Sequence, residues 1–172
     1  MTEDRQRRPR WEDTANEAEY LFNPAFMALL QRSMVSSYVS SSGDGMPMIL
    51  CFLLPPLVLH QETREALPRG HKTTMLTWLQ GHREQLVTIA DRVINSRSAT
   101  RSGLIFGISH RCVTLKESLL EVGQVSIDEK AILDLQPTAD MMDCLVRAAF
   151  LGKWLHKSGR PETIFASWGI TP

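Results

Sequence analysis

The histidines are the first residues of this chain to consider for chemistry, because imidazole serves both as a metal ligand and as a general base. Five of them are scattered singly along the sequence: His60, His71, His82, His110 and His156. A structural zinc site needs four convergent ligands, and no close-set pair of histidines is present to begin one. The sequence therefore predicts no metal site.

The short motifs that resemble catalytic signatures are all incomplete. Gly152-Lys153 is followed by Trp154, where a phosphate-binding loop requires serine or threonine. His60-Gln61-Glu62 begins a zinc-deaminase signature, but no Pro-Cys-x-x-Cys motif completes it. We therefore expect a protein that is not an enzyme and holds no cofactor. A nuclease is the least favoured alternative, since no pair of acidic residues with a nearby lysine lies in a strand.

The cysteines and the apolar stretches indicate the compartment. Cys51, Cys112 and Cys144 are odd in number and far apart, which does not fit a secreted disulfide scaffold. The longest uncharged stretch, residues 46–59, is shorter than the roughly 18 residues that cross a bilayer and contains Pro55-Pro56. We therefore expect a cytoplasmic protein that does not contact a membrane.

The charged residues balance overall but are segregated along the chain. Nineteen basic residues stand against nineteen acidic ones, and a net charge of zero excludes a general nucleic-acid-coating protein. From Arg92 to Lys116 there are five basic residues and no carboxylate, whereas residues 117–143 hold seven carboxylates and only Lys130. Local contact with phosphate thus remains open despite the neutral total.

Three arginines in the basic stretch are candidate phosphate contacts. Arg97 and Arg101 are four residues apart, which places them on one face of a helix, and Arg111 follows where a β-hairpin is predicted to begin. Two other interpretations stay open. The arginines could solvate the outer face of a helix, or they could attract the acidic stretch within the chain or between subunits.

Hydrophobic spacing predicts a mainly helical chain with a small β-hairpin, an α+β fold. We expect a helix from Pro24 to about Val35, a loop over 36–45, and a buried segment over 46–59 that is kinked at its proline pair. A helical stripe from Met75 to Val93 is expected to break near Gly81 and to end at Asn95-Ser96.

The second half of the chain predicts helices around a hairpin. Ser98 should cap a short helix that directs Leu104, Ile105 and Ile108 inward. Residues 112–127 should form a hairpin or a three-stranded ribbon with a turn at Gly123. Further helices should run from Pro137 to Gly159 and from Pro161 to Gly169. The order of helices and hairpin predicts a winged-helix-like core with N-terminal and C-terminal helices.

The expected domain organisation is a single domain with a short N-terminal extension. Residues 1–16, rich in arginine, should form a flexible basic arm, and residues 17–172 the domain. Within the domain, about 72–128 should be the winged-helix-like part and 137–172 the C-terminal helices.

Three aromatic residues near the C-terminus are candidates for a partner interface: Trp154, Phe165 and Trp168. Aromatic residues anchor many protein interfaces, but aromatics so concentrated near a terminus also close hydrophobic cores. Core closure is the better interpretation for Trp154. Trp168 is the better candidate for a partner contact.

Several short motifs, taken in order, resemble one known family. They are Asn23-Pro24-Ala25-Phe26 with Leu29-Leu30; Leu53-Leu54-Pro55, Leu59-His60, Thr63-Arg64 and Leu67-Pro68; Trp78-Leu79; Leu104 to Gly107; and Phe150 to Leu155, Gly159, Thr163-Ile164 and Trp168 to Pro172. The chain resembles the middle components of three-component ABC systems, of which Lamassu-type anti-phage defence is the best-known group. The doubled Pro55-Pro56 departs from the Leu-Pro-hydrophobic pattern of that family.

This resemblance implies a function without catalytic residues. The family member would be an adaptor that links an SMC-like or Rad50-like ABC ATPase to an effector, usually a nuclease, and restrains the effector until foreign DNA is sensed. DNA would be contacted, if at all, through the complex. A winged-helix fold, as in accessory subunits of SMC complexes, would agree with the predicted order of elements. The alternative that the residues themselves suggest is a stand-alone winged-helix DNA-binding regulator.

Overall fold

The computed structural model describes residues 23–125, 127–134 and 136–170, so the predicted basic arm at 1–16 lies outside it. The protein is mainly helical with one small antiparallel sheet, as predicted. Its helices are α1 Pro24–Ser42, α2 Gln61–Ala66, α3 Met75–Gly81, α4 Arg83–Ser109, α5 Glu129–Asp134, α6 Ala139–Lys157 and α7 Pro161–Ser167. Its strands are β1 Met46–Pro47, β2 Val113–Lys116 and β3 Leu119–Val122.

Helix α1 begins as the sequence predicts but is longer. Asn23 caps it by accepting a 2.9 Å hydrogen bond from the Ala25 amide. The predicted loop from residue 36 is wrong, because the helix continues to Ser42 and ends at Gly43 with φ of 78°. Serine is a weak helix former, yet packing of the helix against the rest of the core supports this last stretch, where Tyr38 is buried.

The apolar segment that follows α1 is buried, as expected. After β1 it forms a 3₁₀ helix over Met48–Leu53 and a π-helical turn over Pro55–Leu59, which begins at the proline pair. Five of its aliphatic side chains are completely inaccessible to solvent: Leu50, Leu53, Leu54, Leu57 and Val58.

Helices α3 and α4 meet at His82, next to the predicted break, but α4 then runs without interruption for 27 residues. The predicted end at Asn95-Ser96 and the new helix from Ser98 are wrong. The hydroxyls of Ser96 and Thr100 donate to the carbonyls of Arg92 and Ser96, at 2.7 and 3.0 Å, so these side chains are satisfied within the helix.

The predicted hairpin is present as β2 and β3, paired antiparallel with Val113 opposite Val122. The third strand is β1 and not the predicted stretch 125–127, in which residue 126 lies outside the described residues. Met46 pairs with Leu120, so the strand order is β1-β3-β2. The sheet thereby joins the segment after α1 to the end of α4.

Helix α1 packs against both α4 and α6, and glycines permit the close approach. A Cβ at Gly152 on α6 would collide with the backbone carbonyl of Met34. A Cβ at Gly103 on α4 would lie 2.6 Å from the Cβ of Met27. The predicted C-terminal helices are present as α6 and α7, which cover the core beside α1.

Candidate functional site

The three arginines predicted to contact phosphate lie at the surface. Arg97 and Arg101 are exposed one turn apart on α4, and Arg111 is exposed two residues beyond the end of that helix, with φ of 57°. None of the three forms an ion pair with a residue in the described part of the chain. Whether they bind phosphate stays a prediction.

The backbone around Arg111 is held in place by an arginine that sequence reasoning did not select. Arg32 on α1 donates to the carbonyl of Cys112 at 2.5 Å. The amide of Val125 donates to the carbonyl of Arg111 at 3.2 Å, and that of Gly123 to the carbonyl of Cys112 at 3.0 Å. The turn between α4 and β2 is therefore fixed by α1 and by the chain that follows β3.

Three carboxylates of the acidic stretch form ion pairs in the described part of the chain, and none of these pairs involves the three candidate arginines. Glu121 pairs with Lys116 across the hairpin at 2.6 Å. Asp140 and Asp143 both pair with Arg64, the latter at 2.8 Å. The ion pairs of this stretch in the described chain thus serve the hairpin, the junction of α2 with α6 and, through Asp143 and Arg147, α6 itself.

Arg64 is a buried anchor, with only 3% of its side chain exposed. Besides its two carboxylate partners on α6, it donates to the carbonyl of Val58 at 2.8 Å. The guanidinium therefore ties the π-helical turn and α2 to the first turns of α6. Sequence reasoning noted Thr63-Arg64 only as a family motif; a buried arginine cannot be distinguished from a surface one by its type alone.

The outward face of α4 also carries aliphatic residues, two of which, Ile105 and Ile108, were predicted to point inward. Val87, Ile94 and Ile105 are 79%, 59% and 67% exposed, and Ile108 is 36% exposed. The predicted inward direction is correct for Leu104 but wrong for Ile105 and Ile108, because the helix turns its small residues and not these toward α1. The 3.6-residue period of the helix could have predicted these exposed residues, because it places them together on a second apolar face.

A groove of about 430 Å³ continues this face beyond the end of α4. Its walls are formed by Ile108, Arg111 and three residues of β2, and Gln124 completes it. Leu115, one of those strand residues, is 37% exposed. The exposed apolar surface of α4 and the exposed side of the hairpin are thus adjacent at Arg111.

A second groove, of about 530 Å³, lies between α1, α5 and α6. Its lining is mostly aliphatic, with Leu145 and Val146 from α6 and Ile132 from α5. Arg32 and serines of α1 supply its polar edge. In the described part of the chain, one apolar groove thus lies beside α6 and another at the C-terminal end of α4.

The three aromatic residues predicted as a partner interface lie in the core. Trp154, Phe165 and Trp168 are no more than 2% exposed. Trp154 donates its indole N–H to the carbonyl of Thr73 at 2.8 Å, and the ring of Trp78 lies 5.9 and 5.8 Å from those of Trp154 and Trp168. The isolated chain does not offer these side chains to a partner. A partner contact there stays a prediction that would require them to leave the core.

The histidines and cysteines are used for packing in the described residues. His60 caps α2 by accepting from the Thr63 amide at 3.3 Å, and burial together with the charge of Arg92 lowers its pKa, which favours the neutral ring. Burial raises the pKa of the Cys51 thiol to about 12 and that of Cys144 to about 11, so neither is an activated nucleophile. Among residues 23–125, 127–134 and 136–170, no cluster of three metal-ligating side chains is present.

No helix within the described residues is long and apolar enough to cross a membrane. Comparison with known proteins gives one positive result. A family model described as ABC-three component (ABC-3C) system Middle Component 3 matches residues 11–172. No curated protein and no solved structure matches the chain.

Proposed function

Because the chain belongs to the Middle Component 3 family of ABC-three component systems, we propose that it is a non-catalytic adaptor. In this proposal it links an SMC-like or Rad50-like ABC ATPase to an effector nuclease in a cytoplasmic anti-phage complex of the Lamassu type. It restrains the nuclease until the complex senses foreign DNA. The observation that carries the proposal is the match of the family model over nearly the whole chain.

The arrangement of surfaces supports a bridging role. The outward face of α4 is apolar and basic, whereas the groove between α1, α5 and α6 is apolar with a serine-lined edge. An adaptor needs two separate surfaces of different chemistry to hold two partners. The segregation of charge along a chain with zero net charge is consistent with such a division.

Co-expression of the chain with the two proteins encoded beside it tests the proposal. In size-exclusion chromatography we expect this chain to elute with the ATPase. Elution only as a free monomer, under conditions in which the ATPase is folded and binds ATP, would contradict an adaptor role. Sequencing of the neighbouring genes is the preliminary check, since one of them should encode an ABC ATPase.

Truncation of the C-terminus provides a second test. Because Phe165 and Trp168 are buried, deletion of residues 165–172 should unfold the protein, and circular dichroism would report the loss of helix. A truncated chain that keeps its helical signal but loses the ATPase would instead assign partner binding to this segment. Unchanged folding with unchanged assembly would reject both roles.

A stand-alone winged-helix DNA-binding regulator is the second candidate. It is favoured by the order of helix, short strand, helices and hairpin, with β1 paired to β3, and by the three exposed arginines. In that case affinity for duplex DNA should fall steeply with salt, because each neutralised phosphate releases counterions. Arg97→Ala should reduce both the affinity and the salt dependence. Absence of binding to duplex DNA at low salt would dismiss this candidate.

A further inference from the structure

The exposed aliphatic residues of α4 form a stripe along one side of the helix, which is interrupted between Ile94 and Ile105. Val87, Ile94, Ile105 and Ile108 are separated by 7, 11 and 3 residues. With 3.6 residues per turn, the first two separations return to within about 20° of the same angle around the axis, and Ile108 lies about 60° to one side of Ile105. The helix has 27 residues, which corresponds to a length of about 40 Å. The stripe therefore spans most of a long, straight contact surface.

Within the described residues, the fold does not bury this stripe. The buried side of α4 consists of Ile89, Leu104 and small or polar residues that pack toward the core. The stripe lies on the outer side, where Val87 is 79% and Ile105 is 67% exposed. Single exposed aliphatic residues are ordinary on a protein surface, but an aligned set is typical of a surface that associates.

The charged residues next to the stripe indicate which kind of partner surface would cover it. Arg97 and Arg101 lie beside its centre and make no ion pair with any residue that the structure describes. Asp91 is exposed between Val87 and Ile94, and from Arg92 to Lys116 the sequence supplies no further carboxylate. A partner that buried the stripe would leave these two guanidinium groups desolvated unless it brought carboxylates to them.

A second copy of this chain, paired two-fold about the centre of the stripe, does not fit these charges. Two α4 helices related by a two-fold axis would place residues near the centre of the stripe opposite their own copies. Arg97 and Arg101 occupy that centre, between Val87 and Ile108, so like charges would meet. DNA satisfies the arginines, but it leaves the aliphatic side chains on either side of them facing a charged backbone.

We propose that the outward face of α4 docks an amphipathic helix of a partner protein, which lays its aliphatic residues on the stripe and directs carboxylates at Arg97 and Arg101. Alternating three- and four-residue spacing is the pattern by which helices pack side by side. At the C-terminal end of α4 the groove lined by Ile108 and Leu115 accommodates the end of the partner helix. This inference rests on the proposed function for the identity of the complex in which the partner is sought.

The test uses the full chain co-expressed with the ATPase and the effector encoded beside it. Two variants address the surface: Ile94→Ser with Ile105→Ser for the stripe, and Arg97→Glu with Arg101→Glu for the charges. The matched control is Leu76→Ser with Arg69→Glu, which alters an exposed leucine and an exposed arginine outside α4. We expect each α4 variant to weaken association with one partner about tenfold or more, and the control to change it less than twofold.

A photo-crosslinking residue at position 94, in cells that express the complete system, identifies the occupant. Mass spectrometry should place the crosslink in a segment of that partner with apolar residues at three- and four-residue spacing and with carboxylates beside them. Replacing those carboxylates by lysine should restore association to the variant that carries Arg97→Glu and Arg101→Glu. This rescue separates a direct contact from a general loss of stability.

Three results would overturn the inference: α4 variants that associate like the control, a crosslink to a second copy of this chain, or loss of duplex DNA binding with protein association intact. If the unaltered chain binds neither the ATPase nor the effector, the proposed adaptor function fails. The crosslinking experiment still tests whether α4 docks a partner helix. A crosslink to a helix of another protein, with charge-swap rescue, would then support the docking surface, and its absence would reject it.

Discussion

Helices α4 and α6 both pack against α1, but they do so with different residues. The 19 residues of α6 bury a set that includes Phe150, Trp154 and Leu155. The 27 residues of α4 bury only two large aliphatic side chains, Ile89 and Leu104, beside glycines and hydroxyl residues. Helix α6 therefore contributes large side chains to the core. Helix α4 combines close backbone contact on one side with exposed aliphatic residues on the other.

Polar contacts reinforce this difference on the inner side of α4. Gln31 of α1 donates to the carbonyl of Thr100 at 2.9 Å inside the interface. On the other side of α1, the hydroxyl of Ser33 donates to the carbonyl of Leu145 on α6 at 3.2 Å, near the surface. The α1 interface with α4 thus depends on buried hydrogen bonding and close packing, and the interface with α6 mainly on apolar burial.

Removal of the largest side chain from α6 should have the greatest effect on stability. Trp154→Ala is expected to lower the free energy of unfolding by about 3–5 kcal/mol, because it leaves a cavity and an unpaired carbonyl at Thr73. Urea denaturation measures the change. The control is Val146→Ala on the same helix, where 61% exposure predicts a change below about 0.5 kcal/mol. Equal effects of the two substitutions would contradict the placement of Trp154.

Glycine substitutions test how closely α1 approaches α6 and α4. Gly152→Ala should destabilise by about 1–3 kcal/mol, because its new methyl group meets the backbone of Met34. Gly103→Ala should also destabilise, since its methyl group would lie 2.6 Å from the Cβ of Met27, an atom that moves only together with the backbone of α1.

Gly81→Ala is the control for both glycine substitutions. This glycine is helical, and a Cβ there would have no neighbour within 4 Å. The substitution should leave stability unchanged or raise it by up to about 1 kcal/mol. Thermal denaturation ranks the three variants, and a Gly152→Ala protein as stable as the Gly81 variant would refute the close approach of α6 to α1.

Alkaline pH should destabilise the core through the buried thiols of Cys51 and Cys144. The folded pKa values of Cys51 and Cys144, about 12 and about 11, lie above the value near 9 that the unfolded chain has. Their contribution is fully present below pH 9 and is lost as pH rises toward these values, at about 1.4 kcal/mol per pH unit for each thiol.

Urea titrations at several pH values between 8 and 10.5 would detect this loss. The matched protein carries Cys51→Ala and Cys144→Ala, and its stability should decline with a shallower slope above pH 9. Native-state alkylation gives an independent reading, since Cys112, which is partly exposed, should react well before the two buried cysteines. Identical slopes for the two proteins would argue against burial of the thiols.

The smallest effect is expected on the outer side of α4. Ile105→Ala should change stability by less than about 0.5 kcal/mol, because the side chain is exposed and alanine favours helix. Its neighbour Leu104 is buried, and Leu104→Ala should cost about 2–5 kcal/mol. Chemical denaturation of this adjacent pair fixes the orientation of α4. Destabilisation by Ile105→Ala equal to that by Leu104→Ala would place the stripe inside the core.

The sequence predicted most of the elements but not the direction of every face. Capping by Asn23, the hairpin and the two C-terminal helices follow from local chemistry and were correctly located. The serines at 36–42 and Ser96 misled the interpretation, because tertiary packing and bonds within the helix override weak propensity. Pairing of β1 with β3 is a long-range contact, for which two residues of strand leave no local signal.

The candidate surface on α4 could be predicted only in part, because the local sequence does not determine which side of a helix faces the core. Arg97, Arg101 and Arg111 were correctly expected outside, since charged residues rarely enter a core without a partner. Arg64 is the exception, and only the fold brings Asp140 and Asp143 to it. The aliphatic stripe was missed because Ile105 and Leu104 differ in burial, not in hydrophobicity, and only the helix rotation set by contacts with α1 distinguishes them.

Reconstitution with and without this chain is the most direct test of the adaptor proposal. The ABC ATPase and the effector encoded beside it would be purified separately, mixed, and analysed by size-exclusion chromatography with light scattering. The proposal predicts that the two proteins elute separately on their own and together once this chain is added. Elution of the ATPase with the effector in its absence, and no change on its addition, would contradict the bridging role.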